Sequence, residues 1–404
     1  MKNYCPTDKM RIGIDISRTI EEGTGVGYYA KNLVHALAKV DSENDYLLYG
    51  MFYDCYPKEW KKAAVPKSPN FRLHQKHSLS WLVRKRWEND GRHKEKLVGG
   101  IDILHSTAFT MPPVFSPKVI VTIHDLSIFA LPQHHTEANY QFVTKNVHQA
   151  ARRANAVIAD SENTKREIRR FLHVPDEKME VIYLAAHENF HVKCHPNFIE
   201  HIRHKYALRK PYFLTVGSIE PRKNLASALI AFKALLEIRR IDYQFVIAGG
   251  KGWKNESFYR LLKKLNIDDY LVFTGYVPEE DLPALYQGAE AFVYPSFYEG
   301  FGLPVLEAMS AGTPVITSNT SSLPEVAGDA ALLVNPKEIF DLYEAMEALV
   351  IRPSLREELK KKGLEQSKKF TWEKTARQTL EIYQKIFNNA RESRSKTAHH
   401  ATNR

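Results

Sequence analysis

Ser296-Phe297-Tyr298-Glu299-Gly300-Phe301-Gly302-Leu303-Pro304-Val305-Leu306-Glu307-Ala308-Met309 is the stretch on which the reading of the fold turns. The apolar run Ala291-Phe292-Val293-Tyr294-Pro295 just before it reads as a buried strand. Gly300 and Gly302 read as a tight turn, and Leu303-Pro304 as a helix start, because proline suits the first helical turn. Strand, glycine turn and helix together form one unit of an α/β fold. A helix N-terminus presents bare N–H groups that attract phosphate, and glycine lets a ligand come close to the backbone. Glu299 lies in the turn and Glu307 about one helical turn inside the helix. A carboxylate on each side can grip hydroxyls of a sugar or a ribose, so the stretch suits a nucleotide that carries a sugar.

Working outward, the second half repeats the unit. Residues 212–217, 244–248, 271–274, 291–294, 314–317 and 331–334 read as strands, and residues 225–239 as a helix. The first half has its own series, with strands at 11–16, 46–49, 101–105, 119–123 and 156–159. Its helix at 27–40 carries Leu33, Val34 and Leu37 on one face, and Ser161 reads as the N-cap of another. Alternating strands and helices predict parallel sheets. The two series change over at residues 201–211, a polar, basic, proline-ended segment that reads as a linker. With 404 residues, too many for one ordinary core, the chain divides into Rossmann-like domains at 1–205 and 206–370. A helix at 371–390 follows, then a basic tail at 391–404 expected to be disordered. Two open sheets facing each other leave a cleft at the carboxyl ends of their strands, where ligands bind.

Composition is that of a globular protein, with 44% hydrophobic and 26% charged residues. No apolar run approaches the roughly 20 residues of a membrane-spanning helix. Residues 1–8 lack the apolar core of a secretory signal. Cys5, Cys55 and Cys194 are odd in number and far apart, which predicts neither a disulfide framework nor a metal site and points to a reducing cytoplasm. The net charge of +10 suits phosphorylated substrates, an anionic membrane surface or nucleic acid. Trp81-Leu82-Val83-Arg84-Lys85-Arg86-Trp87 mixes aromatic and basic residues, as a segment at a membrane surface does; it reads equally as a helix packed on the first sheet.

Three further motifs carry chemistry. Gly217-Ser218-Ile219-Glu220-Pro221-Arg222-Lys223-Asn224 follows a strand and precedes a helix, and its adjacent cations suit a pyrophosphate. Ile123-His124-Asp125-Leu126 ends an apolar strand, so His124 is expected to face the cleft and bond a sugar hydroxyl or the acceptor. Gly23-Thr24-Gly25-Val26-Gly27-Tyr28-Tyr29-Ala30 contains a dinucleotide-like Gly-x-Gly-x-x-Ala, but its glycines come about nine residues after the first strand, too late for that tight turn. A flexible loop leading into a helix fits better. Metal-binding patterns such as His-Glu-x-x-His or Cys-x-x-Cys do not occur, nor does a Gly-x-x-x-x-Gly-Lys-Ser/Thr loop.

Taken together these residues resemble the retaining glycosyltransferases of family 4, which have the GT-B fold. The resemblance runs from about Arg11 to Phe387 and is strongest at 217–224 and 299–307, with support from Ala311-Gly312-Thr313-Pro314-Val315-Ile316 and residues 322–330. His124-Asp125-Leu126 and Asp160-Ser161-Glu162 are similar to the mannosyltransferase branch that builds bacterial surface polysaccharides, O-antigen included. The resemblance implies an acceptor domain, a nucleotide-sugar donor domain, and a last helix crossing back onto the first domain. It implies that Lys223 with Arg222 binds the donor diphosphate, Glu307 the ribose, and that Glu299 stands beside the transferred sugar. The backbone of Gly300, Phe301, Gly302 and Leu303 would touch sugar and phosphate, and Gly217 and Ser218 would line the donor site. Tyr276 and Val277 would lie near the base, His124 in the sugar pocket, and Gly25 with Gly27 in a mobile first-domain loop. Many family members have arginine where Ser218 stands. The implied reaction moves a hexosyl unit, mannose from GDP-mannose, to a glycan or polyprenyl-linked oligosaccharide, without a metal or other cofactor. The implied place of work is the cytoplasm, peripheral to the inner face of the plasma membrane, with no nucleic-acid partner. The alternatives are a UDP-sugar donor, a nicotinamide-dependent dehydrogenase and a non-catalytic sugar-binding protein.

Overall fold

The computed structural model describes residues 9–20, 24–49, 64–74, 100–109 and 117–402, with side chains through residue 392. Residues 81–87, Cys5 and Cys55 lie outside that set. The first half forms a parallel sheet of seven strands: β1 (Arg11–Asp15), β2 (Asp45–Tyr49), β3 (Phe71–His74), β4 (Ile103–Ser106), β5 (Lys118–Ile123), β6 (Ala156–Ala159) and β7 (Met179–Val181). Their order is β3-β2-β1-β4-β5-β6-β7. The second half forms a parallel sheet of six: β8 (Tyr212–Val216), β9 (Gln244–Ala248), β10 (Leu271–Gly275), β11 (Ala291–Tyr294), β12 (Val315–Ser318) and β13 (Ala331–Val334), ordered β10-β9-β8-β11-β12-β13.

In both sheets the chain winds outward from a central strand, then returns to wind the other way. Strand order reverses between β1 and β4 and again between β8 and β11. Loops leaving the carboxyl ends of strands at such a reversal diverge and leave a crevice. The loops after β8 and β11 are the Arg222-Lys223 segment and the Glu299–Gly302 turn. Central strands bury both faces, as Ile12, Ile14, Phe213, Leu214, Phe292 and Val293 show, and so read as continuous apolar runs. The edge strands β3 and β7 escaped the sequence reading. Phe71-Arg72-Leu73-His74 and the three-residue Met179-Glu180-Val181 are only partly buried and carry polar residues.

Three segments differ from expectation. The glycines at 25 and 27 are not in a loop: they form the first turn of the helix Gly25–Val40, whose Thr24 hydroxyl accepts the Gly27 N–H at 3.2 Å. The side-chain cap outweighs the low helix propensity of the two glycines. The segment read as a linker begins inside a helix, Pro196–Lys205, capped by His195 and with proline in its first turn. Ile202 on that helix is buried, and Lys205 Nζ and the Tyr206 hydroxyl both donate to Asp281, at 2.5 and 2.6 Å. The connection is thus pinned to the second domain. The last helix runs Trp372–Thr402, beyond residue 390 and through the tail expected to be disordered. Residues 389–402 contain neither glycine nor proline to stop it.

That last helix crosses back to the first domain. It buries Ala376, Thr379, Ile382 and Tyr383 and packs along the helix Gly25–Val40. The Tyr383 hydroxyl and His105 Nδ1 are 2.6 Å apart, His105 Nε2 and the Thr122 hydroxyl 2.8 Å, and the Tyr29 hydroxyl and Thr122 3.0 Å. Burial pushes His105 down to about 3, so it stays neutral. This buried network keys the helix to β4 and β5.

Candidate active site

The turn after β11 is held from behind. Ser322 donates its hydroxyl to the carbonyls of Glu299 and Phe301, at 2.9 and 2.8 Å, and Ser321 Oγ accepts the Glu299 N–H at 3.0 Å. Gly302, with φ of 110°, then caps the helix Leu303–Ser310 in a left-handed conformation that side chains avoid. No side chain caps this helix, so its N-terminus keeps N–H groups for an anion.

Glu299 is the centre of a buried charge cluster. Its carboxylate accepts from Arg222 Nη1 and Lys223 Nζ, both at 2.7 Å. Arg222 also donates to Glu220 at 2.6 Å and to the Tyr298 carbonyl at 2.7 Å. Lys223 bonds the Tyr294 hydroxyl and lies 4.6 Å from the centre of that ring. Burial pushes the Glu299 carboxyl up, but Arg222 and Lys223 together outweigh it and hold it at about 2. Burial pushes Lys223 down, against the pull of Glu299. Two cations and two carboxylates cancel. The expected diphosphate clamp and the expected sugar-side carboxylate are therefore one neutral cluster. The sequence reading missed Glu220 and Tyr294, although Glu220 stands two residues before Arg222.

Glu307 is four residues into the helix, as the spacing predicts, and half-buried. It accepts from the Tyr286 hydroxyl at 3.0 Å. Burial pushes its carboxyl up to about 8, with Glu279 adding to the rise and Tyr286 opposing it. At neutral pH it is mainly protonated, able to give one hydrogen bond as well as accept.

On the facing wall, His124 Nδ1 lies 2.6 Å from Asp160 Oδ2 and Nε2 lies 2.8 Å from the Thr107 carbonyl oxygen. The carbonyl requires a proton on Nε2. The proton shared with Asp160 belongs on imidazole, the stronger base. Burial alone would lower the His124 pKa; Asp160 and the Thr107 carbonyl outweigh it and raise it. Both ring nitrogens of His124 are thus committed inside the protein. His124 lines the cleft, as expected. Asp125 adds to the negative field, and Tyr29 meets the ring edge-on at 4.9 Å.

The two walls touch. A Cβ on Gly300 would fall 1.9 Å from the His124 carbonyl oxygen and 2.7 Å from Asp125 Cβ. The glycine therefore serves the approach of the first domain, beyond any role toward a ligand. The Gly300 carbonyl accepts from the hydroxyls of Ser161 at 2.7 Å and Thr164 at 3.1 Å. Tyr298 takes the Leu126 N–H at 3.2 Å and bonds Glu167. At the mouth, Trp253 Nε1 donates to the His134 carbonyl at 2.8 Å and Lys254 Nζ to that of Gln133 at 2.8 Å. Lys31 pairs with Glu279 at 2.9 Å on the other side.

Between these contacts lies a cleft of about 1140 Å³. The structure brings every predicted site residue to it: His124, Gly25 and Gly27 from the first domain, and Gly217, Ser218, Arg222, Lys223, Tyr276, Val277, Glu299, Gly300, Phe301, Gly302, Leu303 and Glu307 from the second. Tyr276 is 57% exposed and Val277 is buried. With Gly25 and Gly27 inside a helix, the glycine turn that a nicotinamide dinucleotide needs after β1 is absent among the described residues.

Two doubly wound domains facing across such a cleft, with a last helix returning to the first, are the GT-B architecture of glycosyltransferases. Known proteins agree. Residues 23–187 match the model of Glycosyltransferase Family 4 and residues 198–366 that of Glycosyl transferases group 1. The chain is 33% identical to O-antigen chain mannosyltransferase B of Escherichia coli over 375 residues, covering 89% of this chain and 96% of that one. It is 27% identical to O-antigen chain mannosyltransferase RfbU of Salmonella typhimurium over 80% of this chain and 87% of that one. Among solved structures, sucrose-phosphate synthase from Thermosynechococcus elongatus superposes with a TM-score of 0.72 at 20% identity, over 94% of this chain and all of that one. The chain belongs to the family 4 glycosyltransferases.

Two expectations follow. Gly300→Ala forces the domains apart where the turn meets His124 and Asp125. A displacement of about 1 Å at a reacting centre costs about 100-fold in rate, so kcat is expected to fall that far while calorimetry finds nucleotide affinity nearly unchanged. Asp160→Asn removes the negative partner that raises the His124 pKa. Nuclear magnetic resonance titration of the ring is expected to find imidazolium persisting above the ordinary histidine range of about 6.5 in the wild type and lost below it in the variant.

Proposed function

We propose that this enzyme transfers a mannosyl unit from GDP-mannose, with retention at the anomeric carbon, to a hydroxyl of a glycan or polyprenyl-linked oligosaccharide. The observation that carries the reading is the Glu299–Arg222–Lys223 cluster beside an uncapped helix N-terminus. The mannosyl part draws support from the O-antigen mannosyltransferases to which the chain is similar.

In this reading the donor diphosphate displaces Glu299 as the partner of Arg222 and Lys223 and meets the N–H groups at Leu303. Glu307 and Tyr286 take the ribose hydroxyls. The displaced Glu299 turns to the sugar, next to His124. As the glycosidic bond breaks, charge grows on the leaving phosphate, and fixed cations in a dry site stabilise it. The leaving phosphate takes the proton of the acceptor hydroxyl, and the new bond forms on the face the nucleotide left. Arg222 and Lys223 supply the positive charge, so the reading assigns no step to a metal ion.

Incubation with GDP-mannose, other GDP-sugars and UDP-sugars, with a lipid-linked oligosaccharide and EDTA, tests this. Mannosyl transfer from GDP-mannose that survives EDTA is the expected result, and preference for a UDP-sugar overturns the donor assignment. Lys223→Ala is expected to lower kcat by about 100- to 1000-fold, the size of effect for one preorganised charge donor.

The net charge of +10 and a lipid-linked acceptor support, in the same reading, a location at the inner face of the plasma membrane. Vesicles containing anionic lipid are expected to float with the protein at low salt and to release it at about 1 M salt, where screening is nearly complete. Failure to float at low salt removes the membrane part of the reading.

A further inference from the structure

We propose that Glu325 is a positioning residue that closes the cleft by capping, from the second domain, the helix of the first domain that Ser161 begins. Glu325 Oε2 accepts the N–H of Glu162 and Oε1 that of Asn163, both at 2.8 Å. These are the first two N–H groups of the helix Glu162–Glu167. Such groups have no partner inside their own helix. In a capping box the N-cap serine and a glutamate three residues later answer each other within one segment. Here the serine is in place, with Ser161 Oγ accepting the Thr164 N–H at 3.0 Å. Position 164 is threonine, however, and the carboxylate comes from the other domain. Tyr183, at 3.5 Å, is a further partner of Glu325.

The same helix start grips the catalytic turn. Ser161 spends its own hydroxyl hydrogen on the Gly300 carbonyl at 2.7 Å, and Gly300 follows Glu299. When Glu325 seats on the helix, Ser161 meets Gly300 and Glu299 is brought up to His124. When the cleft opens, water takes over both N–H groups and the carboxylate. The difference is that of an ordinary cap, about a tenfold change in population, so closure is favoured yet reversible at each turnover. This role rests on the reading of the cleft as the transfer site.

Two substitutions, one in each domain, test it. Glu325→Ala removes the acceptor. Glu162→Pro removes one donor at the first helical position, where proline is welcome, and Ser161 already has the extended backbone (φ −155°, ψ 161°) that precedes proline. Spin labels on the two domains report the opening directly, whether or not a sugar donor is known. The distance distribution is expected to shift toward longer separations in both variants. Transfer kcat is expected to fall about tenfold in Glu325→Ala, as loss of a cap predicts, with GDP affinity within about twofold of wild type. Glu325→Gln, which keeps one acceptor at the same reach, is expected to recover part of the loss. The double variant is expected to be no worse than Glu325→Ala, since both changes break one contact. Unchanged distances, or losses that multiply in the double variant, overturn the proposal. Should Glu325→Ala not fold, Glu162→Pro and Glu325→Gln carry the test. Absence of transfer in the wild type with every donor would refute the functional reading and leave the distance measurement to decide this one.

Discussion

The approach of Gly300 to the His124 carbonyl is the constraint around which the molecule is arranged. It joins the turn after β11 to the end of β5, and there is no room for even a methyl group. Glu299 lies just before that point, the helix N-terminus at Leu303 just after it and His124 across from it. Two sheets that each bury their own faces could sit at many relative angles. A backbone-to-backbone contact at the carboxyl ends of both sheets selects one of them. The returning helix Trp372–Thr402 supports that choice from a distance, since its Tyr383 is keyed to His105 on β4.

The charge cluster beside the contact is balanced within itself. Buried ions are tolerated only when paired, and Glu299 and Glu220 pair Arg222 and Lys223. A cluster of bare cations would bind diphosphate more strongly at first contact, but it would have to exist buried and unpaired. Glu299 solves the problem by being a partner that can be replaced. Arg222 and Lys223 hold its carboxyl at about 2, so it is ionised while it pairs with them.

Much of this was legible in the sequence. Two strand-helix series, the cleft between them and the residues that line it all follow from apolar runs, glycine turns and the helix start at Leu303. What the sequence did not disclose is pairing set by strand register. Ile123 on β5 lies opposite Ala159 on β6, so the next residues, His124 and Asp160, become neighbours and share a proton. Phe292 on β11 lies opposite Leu214 on β8, which carries Tyr294 and Glu299 to the cations after β8. Neither register can be derived from periodicity within one strand. Gly25 and Gly27 misled for a different reason: glycine spacing reads as a loop, and a single hydroxyl cap from Thr24 overrides it. The charged tail read as disorder because charge was weighed and the absence of helix breakers was not.

Gly300 and Glu325 give a physical reason why residues far apart in the chain must act together. The Ser161 helix is incomplete by itself, with its first two N–H groups unanswered by its own segment. The Glu299 turn is incomplete by itself, with the Gly300 carbonyl pointing out of its domain. Each wall thus carries backbone groups whose best partners lie on the other. Water can satisfy them when the cleft is open, so opening needs no large rearrangement and leaves no buried orphan. Closing exchanges that water for fixed partners and dries the same few ångströms in which a glycosidic bond would break. Electrostatic stabilisation by Arg222, Lys223 and the helix N-terminus grows as water leaves. The polar groups that shut the cleft and those that stabilise charge inside it are therefore adjacent in space because they depend on the same exclusion of solvent.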